Sequence, residues 1–220
     1  MQLKRFLSIL SLLLLVMIMA SCKQKAQDDC GFVQNVYGAR ISWKTKLPLP
    51  LIIHSSVPIT LRPAIYRAAH TWEEKIGTKV FEISEDSSAL SGSPGRDKKN
   101  GIYFLADWES DRKSEQGRTN VLWAGDEIQE ADIRINAANF SYYDQNPKVL
   151  VGSFGLVTAQ RTTADGYSFE ALVLHEMGHF LGLKHREDQG TVMATHLAAY
   201  MNRIQLAASD EKDITCEYKK

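Results

Sequence analysis

The chain has 220 residues, 26 Lys+Arg against 26 Asp+Glu, and 44% hydrophobic residues. That balance excludes a disordered chain, which would be poorer in apolar residues or more highly charged, and a nucleic-acid binder, which would carry a basic excess. The length suits one large domain or two small ones and can bury a core without staples.

Apolar residues concentrate first at the N-terminus. Lys4 and Arg5 precede a run from Phe6 to Ala20 whose only polar members are Ser8 and Ser11, and Ser21 and Cys22 follow. This reads as a secretory signal over residues 1–21, too short to span a bilayer comfortably; an uncleaved membrane anchor is the alternative. Met19-Ala20-Ser21-Cys22 resembles the lipobox of bacterial lipoproteins, with Met19 in place of the usual Leu. The resemblance implies cleavage before Cys22, acylation of that cysteine and stable anchoring to a membrane. The protein is therefore expected to be exported and held at the cell envelope. Lys23 does not resemble an inner-membrane retention signal, which favours the outer membrane.

Without residues 1–21 the chain keeps 199 residues, 24 Lys+Arg and 26 Asp+Glu, a net charge of −2 that indicates no electrostatic partner. Lipidation of Cys22 leaves Cys30 and Cys216, an even pair in an oxidising compartment, so a disulfide between them is expected, two free thiols being the alternative. Residues 23–29 are polar and aperiodic, and residues 22–38 as a whole are expected to form a tether, with one domain over 39–220.

Ile41 and Trp43 alternate in an extended stretch, and Leu49 to Ile53 form an apolar strand bounded by prolines. A helix follows, with Thr60 as N-cap, Pro63 in the first turn, Ala64, Ile65, Ala68, Ala69, Trp72 and Ile76 at helical spacing, and Gly77 as its stop. Val80 to Ile83 reads as a second strand. Ser84 to Asn100, rich in Ser, Gly and charge, reads as a surface loop within the domain, a linker between domains being the alternative. Gly101–Trp108, Asn120–Ala124, Ala131–Asn136 and part of Val149–Arg161 are further strand candidates. Mixed strands and helices place the fold in the α/β (α+β) class with one mixed sheet.

Ser168 to Leu181 reads as a helix with Ser168 as N-cap and Leu172, Val173, Met177, Phe180 and Leu181 as its apolar positions. It carries His175-Glu176-Met177-Gly178-His179. Two histidines one turn apart point their imidazoles the same way and can grip one metal ion, with Glu176 in reach of a water on that metal. Gly182 can take positive φ, ending the helix and swinging the chain so that His185 approaches as third ligand. Three His ligands with a fourth position open to water are characteristic of a catalytic zinc site. A bare His-Glu-x-x-His arises by chance in on the order of one per cent of chains this long, and the Gly and third His lower that about a thousandfold.

His-Glu-x-x-His-x-x-Gly-x-x-His at 175–185 is the metzincin signature, and Met193, eight residues after His185, has a spacing that resembles the matrixin branch. Leu61 to Ile83 is similar to the first helix and second strand of that family, Glu130 to Ile135 to its Ala-Asp-Ile-x-Ile strand, and Ser209 to Tyr218 to its C-terminal helix. The resemblance implies a zincin fold with a long N-terminal helix, an active-site helix and a C-terminal helix, and one catalytic Zn2+ held by His175, His179 and His185. It further implies Met193 as an apolar floor beneath those histidines, and a protein or peptide substrate hydrolysed by a zinc-activated water with Glu176 as general base and then acid. Ala194, Thr195 and His196 depart from the Tyr and Pro that often follow the Met. No Pro-Arg-Cys-Gly segment occurs, so cysteine-switch latency is not implied. No structural zinc or Ca2+ loop can be picked out; Asp126, Glu127 and Asp132 read as solvated or strand-end carboxylates, and His54, His70 and His196 as non-ligands. The chain is expected to be a monomer with no nucleic-acid partner. The alternatives are a lipid-anchored zinc-binding interaction module without turnover, or an amidase acting on cell-wall peptides.

Overall fold

Leu49, Leu51 and Ile53 alternate along β1 (Leu49–Ile53) and are all buried, so this strand presents one face to the core. The computed structural model describes residues 26–44, 47–86, 93–152, 155–158 and 165–219. The expected signal, Cys22 and the first residues of the expected tether lie outside them.

A 3-10 turn over Ile59–Leu61 leads into α1 (Arg62–Ile76), whose N-cap position is Leu61 and has no side-chain cap. Thr60, expected as the cap, lies within the 3-10 turn instead; the turn supplies local backbone bonding, including Leu61 N–H to Pro58 O at 2.9 Å. The apolar stripe of α1 is buried as its spacing predicts, and Gly77 closes the helix at φ 84°. The chain then forms β2 (Phe81–Glu85), β3 (Gly101–Leu105), β4 (Gly117–Ala124) and β5 (Glu127–Asn136). Their order is β2-β1-β3-β5-β4, with β4 antiparallel to β5 and the other pairings parallel. β4 is therefore an edge strand, and its polar, partly exposed residues suit that place.

A second sheet, not expected from the sequence, has the order β8-β7-β6-β9: β6 (Ser141–Tyr143), β7 (Val149–Gly152), β8 (Gly155–Thr158) and β9 (Gly166–Ser168). β9 runs directly into α2 (Phe169–Phe180), and α3 (Ala208–Tyr218) ends the fold. The class is the mixed α/β one read from the sequence, with the main sheet accompanied by this smaller one.

Trp72, fully buried on α1, donates its indole N–H to Leu174 O of α2 at 3.0 Å, locking the two helices together. The last carbonyls of α2 find partners outside the helix: Phe180 O accepts from the Trp43 indole at 2.8 Å and Leu181 O from the Tyr218 hydroxyl at 2.7 Å.

The tether ends sooner than expected. Cys30 is disulfide-bonded to Cys216 on α3, Phe32 is fully buried, and Val33 N–H donates to Gly182 O at 2.9 Å. The cause is Phe32, a large apolar side chain whose burial draws this stretch onto the domain. Asp132 also differs from its expected solvated or strand-end place: it lies within β5, buried, accepting from Gly95 N–H and Gly101 N–H at 2.9 Å each. Burial pushes its carboxyl up to about 6. Among the described residues no helix is long and apolar enough to cross a membrane.

Candidate metal centre

Ser168 caps α2 as its position predicts, its hydroxyl accepting from Ala171 N–H at 3.3 Å. From that start the helix presents His175 and His179 on one face and leaves Glu176 beside them. Gly182, at φ 103°, turns the chain away; a Cβ there would lie 2.2 Å from Ile41 O, so no other residue fits. Leu183, Lys184 and His185 then return along the strap at residues 29–33. Phe32 and Leu183 form an antiparallel bridge, Lys184 N–H donates to Gly31 O at 2.8 Å, and the Lys184 ammonium pairs with Asp29 at 2.6 Å.

The outcome is a three-histidine cluster. The Nε2 atoms of His175, His179 and His185 stand 3.0, 3.0 and 3.2 Å apart. His175 Nδ1–H donates to Val192 O at 2.7 Å and His179 Nδ1–H to Leu183 O at 2.8 Å, so each ring turns a bare Nε2 toward the others. Burial lowers His175 well below the ordinary histidine range and His179 to about 4, and lowers His185 as well. Three neutral nitrogens with lone pairs facing each other have no hydrogen to share. Zn–N bonds of 2.0–2.1 Å in a tetrahedron place nitrogens about 3.3 Å apart, which matches this donor set. No other cluster of three or more potential ligands occurs among the described residues; His54, His70 and His196 do not belong to this one, although His196 borders the same cleft.

Met193 is buried against the helix that carries two of the histidines: a Cβ on Gly178 would lie 2.2 Å from its sulfur. The turn carrying it is fixed from beneath by Asp210 on α3, whose carboxylate accepts from Val192 N–H at 2.8 Å and Ala207 N–H at 2.9 Å. Val192 thus links Asp210 to the ring of His175.

Glu176 is 3% exposed. Thr119 of β4 donates its hydroxyl to Glu176 Oε2 at 2.7 Å, and a Cβ on Gly117 would lie 2.8 Å from Oε1. Burial pushes the Glu176 carboxyl up to about 7. Sequence reasoning missed Gly117 and Thr119, because neither belongs to a motif and only the packing of β4 over α2 brings them here. The same cleft is bordered by Gln116, Trp123, Tyr167, Leu172 and Leu197.

A mixed sheet, a helix with two histidines, a glycine turn to a third and a methionine packed against that helix fit the metzincin pattern. The matrixin family model, peptidase M10, matches residues 57–219, and the chain belongs to that family of zinc metallopeptidases. No curated protein matches the sequence.

Proposed function

We propose that this chain is a zinc endopeptidase that cuts extended peptides at the cleft between β4 and α2. The observation that carries the reading is the convergence of three neutral Nε2 atoms beside a buried carboxylate under an edge strand. His175, His179 and His185 would hold Zn2+ through Nε2. When bound, Zn2+ supplies a Lewis acid that polarises a carbonyl and lowers the pKa of a water toward neutrality.

The chain's own residues do the rest. β4 offers a backbone edge that pairs with no strand among the described residues to an extended peptide, which adds as a further strand. Thr119 occupies Oε2 of Glu176 and so leaves Oε1 as the proton acceptor. The carboxylate holds the proton from the attacking water at Oε1 and delivers it to the departing amine, acting as base and then as acid.

Glu176→Ala is expected to retain one equivalent of zinc by metal analysis while peptide hydrolysis falls about 10²–10⁴-fold. His179→Ala is expected to lose both metal and turnover. Wild-type hydrolysis by the Glu176 variant would overturn the mechanism.

The localisation reading completes the proposal: an exported lipoprotein, acylated at Cys22 and held to the envelope, the outer membrane in a two-membrane cell. It is supported by the basic, apolar and small-residue order of residues 1–22.

A further inference from the structure

Gln116 stands at the entry to β4, on one rim of the cleft, and Leu197 stands on the facing rim in the segment that follows Met193. The side-chain amide of Gln116 donates to Leu197 O at 3.0 Å, joining the rims. It also interacts with the hydroxyl of Tyr167, which borders the same cleft.

Both ends of this bridge are held by separate structure. The Gln116 carbonyl accepts from Asn136 N–H at 2.9 Å and from the Tyr142 hydroxyl at 2.8 Å, so its backbone is fixed to β5 and to the second sheet. On the facing rim the Arg203 guanidinium donates to Ala194 O, His196 O and Gln189 O, bracing the segment that leads to Leu197. Opening the bridge therefore asks for rotation of one glutamine side chain, which gives up its contacts with Leu197 O and the Tyr167 hydroxyl, and no movement of either wall.

The bridge lies close to the reacting centre. Gly117, its immediate neighbour, is the residue against Glu176 Oε1, and an extended chain advances about 3.3 Å per residue. A peptide added antiparallel to β4 runs from Trp123 toward Gln116, so its C-terminal part meets the bridge within two or three residues of the scissile bond. Among the described residues no such crossing occurs at the other end of the groove, which Val33 and Trp123 border as exposed apolar side chains.

We propose that the Gln116–Leu197 contact is a latch that limits how much peptide is accommodated beyond the scissile bond, making Gln116 a specificity-determining residue. The enzyme then favours cleavage near the C-terminal end of its substrates, and longer ones must break the latch. This rests on the peptidase reading and on antiparallel addition to β4.

The test uses the full-length protein with one equivalent of Zn2+ and a ladder of fluorescent peptides. All share one sequence up to the cleaved bond and carry one to six residues after it. For the wild type, kcat/KM is expected to fall about threefold to tenfold from two residues to five, the equivalent of a net loss of about one hydrogen bond on binding. Gln116→Ala and the near-isosteric Gln116→Glu, which has no amide to donate, should flatten that dependence. A wild type indifferent to length, or variants that lose activity equally at every length, would overturn the latch. A wild type that cleaves none of the ladder overturns the peptidase reading instead. Fluorescence anisotropy on the same peptides then decides the latch, which requires the same length dependence in Kd; uniform binding or none overturns it.

Discussion

Glu176 occupies a space that the chain makes by leaving out side-chain atoms elsewhere. Gly117 has no Cβ where Oε1 sits, and a methyl group there would come within 2.8 Å of it and 3.3 Å of Arg134 O. Gly117→Ala should therefore displace the carboxylate without touching a zinc ligand. The expected outcome is kcat lowered about 10–100-fold with zinc content unchanged, as a displacement of order 1 Å at a catalytic group produces. Loss of zinc along with activity would show that the substitution acts on the fold instead. Asp132 gives a second test, in stability. Its carboxyl is raised in the folded protein to about 6 from 3.8, burial being the main cause. A raised carboxyl contributes stability that is full below the unfolded pKa and is lost as pH rises through the folded one, here between about 3.8 and 6. Asp132→Asn removes that titration, so the wild type should gain stability relative to the variant as pH drops from 7 to 4.5, read by urea unfolding at each pH. A difference between the two proteins that does not change with pH would contradict this.

Among the elements, the strap at residues 29–33 carries the third histidine. It bonds to Gly182 and Lys184 on one side and is fastened to α3 by Cys30–Cys216 on the other, while Arg186, next to His185, pairs with Asp213 of α3. Replacing both cysteines by serine should lower the unfolding free energy by about 2–4 kcal/mol. It should also weaken zinc binding up to about tenfold in competition with a chelating indicator, because the support of a ligand is loosened and the ligand itself is kept. Unchanged zinc affinity would mean that the strap is a staple for stability alone. α2 was legible in the sequence because its signals are local: a serine cap, an apolar stripe and two histidines one turn apart. α1 and the strands of the main sheet were legible for the same reason, through the stripe from Ala64 to Ile76 and apolar runs such as Leu49 to Ile53. The strap was not, since one buried Phe32 beside Gly31 and an exposed Val33 leaves no period and its partners lie some 150 residues away. β6 and β9 were missed because three residues each cannot show an alternation; they exist by pairing with one another. Thr119 and Gln116 escaped notice because their partners, Glu176 and Leu197, are distant in sequence and no motif contains them.

For the molecule as a whole, the strap would limit how far the domain could stand from a membrane if Cys22 is acylated as proposed. A free tether from Cys22 to residue 38 would span at most about 58 Å at full extension. The described part of that stretch, from residue 26 on, belongs to the domain: Gln27 N–H donates to Gly38 O at 3.0 Å, and Cys30 is bonded to α3. Five residues from Cys22 to Gln27 reach at most about 18 Å, so an acylated Cys22 would hold the domain close to the lipid surface. The anchor itself is tested by labelled palmitate, which should enter the wild type and not Cys22→Ser, and the variant should move to the soluble fraction. The reach is tested by inserting 20 Gly/Ser residues after Lys25, which adds a coil of roughly 25 Å root-mean-square length. On vesicles carrying the lipidated protein, hydrolysis of a substrate held far from the surface on a rigid spacer should rise with the insertion. Hydrolysis of a free peptide should stay as it was, since the cleft is untouched. Equal rates on the distant substrate with and without the insertion would show that the short connection does not set the working distance, and retention of Cys22→Ser in the membrane would remove the anchor from the account altogether.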